Sequence, residues 1–279
     1  MNRKNIAVVA SNSQSAQAAL IELTERYTTV EPDYADVIVA LGGDGFMLET
    51  QHRFMGLKKP IYGMNRGTVG FLMNEFSVES LPDRILRAES SDLHPLCMKT
   101  KNIFGETHEA LAINEVSLLR QTRQAAKVEI YVDGVSRVSE LICDGVLVAT
   151  PAGSTAYNLS AHGSILPLDS KLLALTPISA FRPRRWKGRI VSDKSKITIK
   201  NLNINKRPIS AVADNYEVRN AKTISIKINK KVKFNLLYDS NRSLQKKIKI
   251  EQLKPRSHLR VRWTKCLVQL SLGKVRGCS

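Results

Sequence analysis

The sequence predicts an α/β plus all-β architecture: a domain built on a parallel sheet, then a mainly antiparallel β domain. Three observations carry this. An apolar strand, an amphipathic helix and a second apolar strand follow one another within residues 6–41, the order of a βαβ unit. Two glycine-bearing turns, Gly42-Gly43-Asp44-Gly45 and Asn65-Arg66-Gly67, each stand at the carboxyl end of an apolar run. After His94-Pro95 the texture changes to short alternating strands.

The elements follow in order. Ile6 to Ala10 is a short buried strand, and Ser11-Asn12-Ser13 is a turn with N-cap residues. Ala16, Ala19, Leu20 and Leu23 recur at helical spacing, in a helix that ends near Tyr27. Pro32-Asp33 breaks the chain before Val37 to Leu41, a β-branched run suited to burial on both faces of a parallel sheet. The glycines of the next turn leave positive φ open to the backbone and let a ligand approach the main chain. A helix is expected from Phe46 to Gln51, with an N-terminus that favours anions. Pro60 to Met64 is the third strand. Ligands bind beyond the carboxyl ends of parallel strands, so both glycine turns should lie on one edge. Ser80 and Pro82 start a helix through Leu86 and Ala88.

Beyond His94-Pro95, strands are expected at Ala112 to Leu119, Ala126 to Val132, Val135 to Ile142 and Val146 to Ala149. More follow at Ile197 to Ile199, Ile209 to Val212, Thr223 to Ile228 and Val232 to Leu237. Asp133-Gly134 is a hairpin turn. The expected division is 1–95, 96–238 and a basic segment 239–279 that packs partly on the first domain.

With 279 residues the chain can hold two domains and a sizeable core. Its hydrophobic content of 43% and charged content of 24% are those of an ordinary globular protein. The net charge of +18 suits polyanionic partners, a nucleotide with several phosphates among them. Arg242, Lys246, Lys247 and Lys249 open the basic tail, which a solvated helix and an irregular extension would account for. Cys97, Cys143, Cys266 and Cys278 form no CxxC pair, which suggests a reduced, cytoplasmic chain. The apolar residues after Met1 to Asn5 are too few for a signal peptide, and no run reaches a membrane-spanning length. His52, His94, His108, His162 and His258 show no metal-ligand spacing. The P-loop, the dinucleotide fingerprint and the hydrolase elbow are all missing.

Three blocks carry chemistry. Asp44 is a carboxylate inside a turn suited to phosphates, where it repels its ligand unless it binds a cation or takes up a proton. A local N-cap is the alternative. Asn114-Glu115 interrupts an apolar strand and needs partners: water at a strand end, or the edge of a sugar or base. Asp144 to Ser160 repeats the logic of the first turn. There Pro151-Ala152-Gly153-Ser154-Thr155 can present backbone N–H and hydroxyl donors, with Ser154 or Thr155 as the N-cap of a helix, and Tyr157 adds a flat ring and a phenol.

In this order and spacing, over residues 5–238, the blocks resemble the NAD kinase family. The glycine turn is shared with diacylglycerol kinases and phosphofructokinases, whereas the stretch from Thr150 to Tyr157 is far more specific. The resemblance implies a Rossmann-like N-terminal domain, a β-sandwich C-terminal domain, and NAD bound in the cleft between them. It implies Asp44 as the base toward the adenosine ribose 2′-hydroxyl. Gly42, Gly43, Asn65, Arg66, Gly67 and Ser154 would meet the phosphates of ATP, with Gly45 serving both substrates. Phe71, Asn114, Glu115, Asp144, Ala152, Thr155, Ala156, Tyr157, Asn158, Ser160, Ser179 and Asp214 would surround NAD.

The resemblance further implies Mg²⁺ or another divalent metal, and ATP or polyphosphate as phosphoryl donor. It implies a homodimer or homotetramer in which the Tyr157 block reaches toward a neighbouring subunit. No membrane is expected as a partner, and nucleic acid is not favoured. The chain departs from the family pattern at His162-Gly163, at Ser179-Ala180-Phe181, at Asn215 and in the tail. Two other readings remain at this point. One is a lipid kinase sharing the glycine turn; the other is a non-catalytic nucleotide- or nucleic-acid-binding protein acting through the basic tail.

Overall fold

The computed structural model describes residues 4–68 and 70–240. The basic segment from Asn241 onward, with His258, Cys266 and Cys278, lies outside the described residues.

The first half comprises β1 (Ile6–Ala10), α1 (Gln14–Arg26), β2 (Val37–Gly42), α2 (Asp44–Arg53), β3 (Ile61–Asn65), α3 (Leu81–Arg87) and β4 (Glu89–Leu93). Ser13 caps α1 by accepting from the Ala16 amide at 3.3 Å. β1, β2 and β3 pair in parallel, as the βαβ reading requires. Every residue of β2 is buried, because helices cover both faces. Ala16, Ala19 and Leu23 of α1 and Leu81 and Ile85 of α3 pack on Val37, Val39 and Leu41. On the other face, Met47 of α2 packs with Ile38 and Ala40, and with Ile113 and Ala152 from the second half.

The chain leaves this sheet at His94-Pro95. It then forms β5 (Leu96–Asn102), β6 (Thr107–Ala112), β7 (Glu115–Arg120), β8 (Ala126–Val132), β9 (Val135–Cys143), β10 (Gly145–Ala149) and the one-turn α4 (Tyr157–Ser160). Next come β11 (Leu172–Ile178), β12 (Arg189–Ser192), β13 (Ile197–Asn201), β14 (Ile209–Ala213), β15 (Tyr216–Val218), β16 (Ala221–Ile228) and β17 (Phe234–Tyr238). Two six-stranded sheets result, ordered β12-β11-β10-β7-β14-β15 and β6-β5-β16-β13-β8-β9. Their inner faces share one core: Val116, Leu118, Val146 and Val148 from the first, Met98, Val128, Ile199 and Ile226 from the second. This is a β-sandwich. Alternation turns Leu147 and Ala149 outward, under Tyr157 and Leu166.

The structure changes two expectations and adds a strand. The strand expected to continue the second domain at Val232 to Leu237 is β17, and it returns to the first sheet, between β3 and β4. Four of its five residues are buried, which suits a strand covered on both faces rather than a half-exposed sandwich strand. The strand expected over Ala112 to Leu119 is broken after Ala112, because the next three amides leave the ladder for the Asp214 carboxylate. β11, apolar apart from Thr176, shows no alternation, so periodicity did not single it out.

Candidate active site

The glycine turn is the end of β2 running directly into α2. The helix begins at Asp44, two residues before the expected start, with Gly43 at its N-cap and no side-chain cap. Gly42, Gly43 and Gly45 do not use the positive φ open to them. They are needed for space instead. A Cβ on Gly42 would meet the Phe46 side chain at 2.7 Å. A Cβ on Gly67 would meet the Gly43 Cα at 2.8 Å, so the two glycine turns touch, on one edge of the sheet as expected. A Cβ on Gly45 would meet nothing within 4 Å. Gly45 stands in the first turn of α2, whose leading amides have no partner within the helix.

The Asp44 carboxylate is held by the loop after β3. Its Oδ2 accepts from the Phe71 amide at 2.8 Å and its Oδ1 from the Leu72 amide at 2.6 Å. An ionised carboxylate has about four acceptor positions, so two remain. The side chain is oriented yet still able to accept a hydrogen bond or a proton. Asn65 stabilises the same loop, its Oδ1 accepting from the Gly67 amide at 2.9 Å.

A second cluster stands where the sandwich meets the first sheet. Thr150 donates from Oγ1 to the Ile113 carbonyl at 2.7 Å, and its amide donates to the Asn114 carbonyl at 2.9 Å. Gly153 lies against Asn114 so closely that any Cβ would collide with the Asn114 backbone. Asn114 and Glu115 are thereby brought beside the stretch from Thr150 to Tyr157. Asn114 Oδ1 and Glu115 Oε2 are buried and have no hydrogen-bond partner among the described residues. Burial, and then the Asp214 carboxylate, push Glu115 up to about 7. Tyr157 is raised by burial first, then by the charges of Glu115 and Asp144, so the phenol lies within reach of both fields.

A third group lies at the other end of β10. Asp144 pairs with Arg120, whose Nε donates to its Oδ1 at 2.6 Å. The Asp144 amide donates to the Ile178 carbonyl, which places Ser179 alongside. Arg120 carried no signal in the sequence, since nothing in its spacing links it to Asp144.

Four expected ligand-contacting side chains are instead engaged inside the protein. Asp214 is fully buried and accepts from the amides of Ile113, Asn114 and Glu115 and from His52 Nε2 at 2.8 Å. Ser154 donates to the Pro151 carbonyl and accepts from the Leu166 amide. It caps no helix, and its hydroxyl is engaged both as donor and as acceptor within its own loop. Asn158 bridges the Ser154 and Ser164 carbonyls and accepts from Thr176 Oγ1. Arg66 donates from Nε to the Ser15 carbonyl and lies 4.5 Å over the Phe76 ring, directed at α1. By contrast, Thr155, Ala156 and Tyr157 are half-buried and Ser160 is exposed; Ala152 is buried against the first sheet. His52, one face of α2 away from any motif, was not legible as a partner of Asp214.

This arrangement matches known proteins along most of its length. The model of the ATP-NAD kinase N-terminal domain matches residues 3–87, and that of the ATP-NAD kinase C-terminal domain matches residues 113–234. The chain belongs to the NAD kinase family. The NAD kinase of Caulobacter vibrioides is 54% identical over 88% of this chain and 95% of its own. That of Rhizobium meliloti is 52% identical over 89% and 96%. Among solved structures, an NAD kinase from Archaeoglobus fulgidus in complex with ATP is 27% identical, with a TM-score of 0.70 over 88% of this chain and 98% of that one. Yeast NADH kinase complexed with NADH aligns with a TM-score of 0.75 at 20% identity, over 92% and 89%, which speaks for the fold. NAD kinases are phosphotransferases, and this chain is one; neither the lipid-kinase reading nor the non-catalytic one finds support in these matches. No helix among the described residues is long and apolar enough to cross a membrane.

Proposed function

We propose that the chain phosphorylates the 2′-hydroxyl of the adenosine ribose of NAD, with ATP or polyphosphate as donor, to give NADP. The observation that carries this reading is the Asp44 carboxylate, oriented by two backbone amides at the N-terminus of α2 with acceptor capacity to spare. Asp44 takes the proton of the ribose 2′-hydroxyl as that oxygen bonds to the terminal phosphorus. The bond from that phosphorus to its bridging oxygen breaks, and ADP or the shortened polyphosphate leaves. Such a reaction asks little covalent chemistry of the protein; positioning and charge stabilisation carry it. The first-turn amides of α2 and the close-packed glycines Gly42, Gly43, Gly45 and Gly67 suit the donor's phosphates.

Asn114 Oδ1 and Glu115 Oε2, buried without partners among the described residues, suit hydrogen-bond donors of the NAD ribose and nicotinamide side. Phe71, Thr155, Ala156, Tyr157, Ser160 and the Asp144–Ser179 pair would complete that side. The turn fits a hard divalent cation carried on the donor's phosphates. Asp44 offers free oxygen lone pairs, and the described residues form no cage of three or more His, Cys, Asp or Glu. When bound, Mg²⁺ or another such ion neutralises phosphate charge, with Asp44 the carboxylate at hand. A homodimer or homotetramer belongs to the same reading. Exposed Phe181, Ile190 and Tyr216 are surface that assembly would cover, and light scattering tests it. The free thiols of Cys97 and Cys143 fit the cytoplasm.

The test is NADP⁺ formation from NAD⁺ with Mg²⁺ and either ATP or polyphosphate, read by an NADP-specific dehydrogenase. Product is expected with ATP, and product with both names polyphosphate as a second donor. Folded protein that binds NAD and makes no product with either overturns the reading.

A further inference from the structure

We propose that Asn74 is a positioning residue for the reaction: a wedge between β3 and β17 that holds the Phe71 and Leu72 amides against the Asp44 carboxylate. This rests on the reading of Asp44 as the base.

The register between β3 and β17 is a single pair, Leu236 with Ile61. Toward the carboxyl edge Asn74 stands between them. Its amide donates to the Gly63 carbonyl at 2.7 Å and its carbonyl accepts from the Asn65 amide at 2.8 Å, both on β3. Its side chain serves the other strand. Nδ2 donates to the Leu237 carbonyl at 2.9 Å, and Oδ1 accepts from the Asp239 amide at 2.9 Å. The carboxamide thus imitates a peptide group and completes the ladder of β17, in a position that is 1% exposed. Few side chains offer a donor and an acceptor side by side at that reach; Ala offers neither.

The strand it grips is itself anchored. The Asp239 carboxylate accepts from the Tyr62 hydroxyl at 2.5 Å and from Arg84 Nη2 at 2.7 Å. From Asn74 the chain runs back over Gly63, where a Cβ would meet Met73 Sδ at 2.6 Å. It reaches Leu72 and Phe71 next, and their amides hold Asp44. The left-handed Gly70, at φ +66°, lies against the Asn65 carboxamide and closes the loop. Asn74 is thus two and three residues from the amides that aim the base, and fixed to both neighbouring strands. A misplacement of 1 Å at such a distance from the chemistry costs about 10²-fold in rate.

The test compares Asn74→Ala with Asp133→Ala. Asp133 ties a hairpin turn of the sandwich, accepting from Ser195 Oγ and the Lys196 amide, both within that sandwich. For each variant, kcat, KM for NAD and ATP, thermal unfolding and amide exchange at Phe71 and Leu72 are measured. Asn74→Ala is expected to lower kcat roughly 10–100-fold, with both KM values within about threefold. Exchange at Phe71 and Leu72 should quicken while amides of β1 and β2 stay protected. Asp133→Ala should keep its kcat despite a lowered melting temperature. A folded Asn74→Ala enzyme with wild-type kcat overturns the proposal, as does a loss of kcat with unchanged exchange at Phe71 and Leu72. If Asn74→Ala does not fold, Asn74→Asp keeps the shape and removes the donor to Leu237, under the same readouts. A wild-type protein that forms no NADP fails the reading of Asp44 instead. The wedge is then judged by exchange at Phe71 and Leu72 in Asn74→Ala, and unchanged exchange overturns it.

Discussion

Asp44 and Asp214 are the same chemical group at the two ends of one helix. Asp44 opens α2, and Asp214 bonds to His52 near its close, about 12 Å further on at the rise of an α-helix. Both carboxylates accept backbone amides. Asp44 accepts two and stays partly exposed; Asp214 accepts three amides and an imidazole and is fully buried. The difference teaches what separates a carboxylate proposed as the base from one engaged wholly in the fold. Donors orient both, but only the group with lone pairs and space left over can take part in chemistry. Asp214 uses its capacity to break a strand and set Asn114 and Glu115 at the site.

Four measurements would break or sharpen this contrast. Asp44→Asn should lower kcat by about 10²–10⁴-fold, the usual worth of a positioned base, with little change in melting temperature. Wild-type turnover would remove Asp44 from the reactive side of the comparison. Asp214→Ala should instead act on the fold. It leaves buried donors without their acceptor, and urea denaturation should show a loss of about 3–5 kcal/mol. Full stability with lost NAD binding would move Asp214 to the substrate.

Glu115 lies between these extremes, and its pH dependence has a definite sign. Its folded value of about 7 stands above the ordinary 4.5. The folded chain therefore holds a proton that the unfolded chain has released between those values. Its contribution is full below pH 4.5 and is lost as pH rises through 7. In ligand-free protein, Glu115→Gln should be more stable than wild type by about 3 kcal/mol above pH 8, and by nothing near pH 4.5. An advantage that does not change with pH would show that the carboxyl is not held in its neutral form.

The smallest expected effect is at Gly45. Because nothing stands near its Cβ position, Gly45→Ala should alter stability by less than about 0.5 kcal/mol. It should still raise KM for ATP, since the methyl group occupies the open side of the turn. An unchanged KM would place the phosphates elsewhere.

Much of the candidate site's local architecture was legible in the sequence. The β-branched run of β2 and the glycines after it locate the turn and its carboxylate, because an all-buried strand and a crowded backbone each demand a particular residue type. The stretch from Thr150 to Tyr157 locates the second cluster for a similar reason: Gly153 is the only residue that fits against Asn114. The donor-rich appearance of that stretch misled, however. Ser154 and Asn158 carry the right chemistry, yet their partners are Pro151, Leu166, Ser164 and Thr176. A hydroxyl or an amide bonds equally well to a ligand or to its own loop, and a linear sequence does not say which is in reach.

By itself, then, the sequence determined the local demands: which runs are buried, where the backbone must pass closely, which turn carries the carboxylate. The tertiary structure alone decided the pairings across long separations. It returned β17 to the first sheet, joined His52 and Arg120 to their acids, and set Asn74 between two strands. The reason is physical. Burial and backbone crowding are properties of a few adjacent residues, whereas a hydrogen bond across a separation of 24 residues, as for Arg120 and Asp144, or of 162, as for His52 and Asp214, exists only once the chain has closed around it.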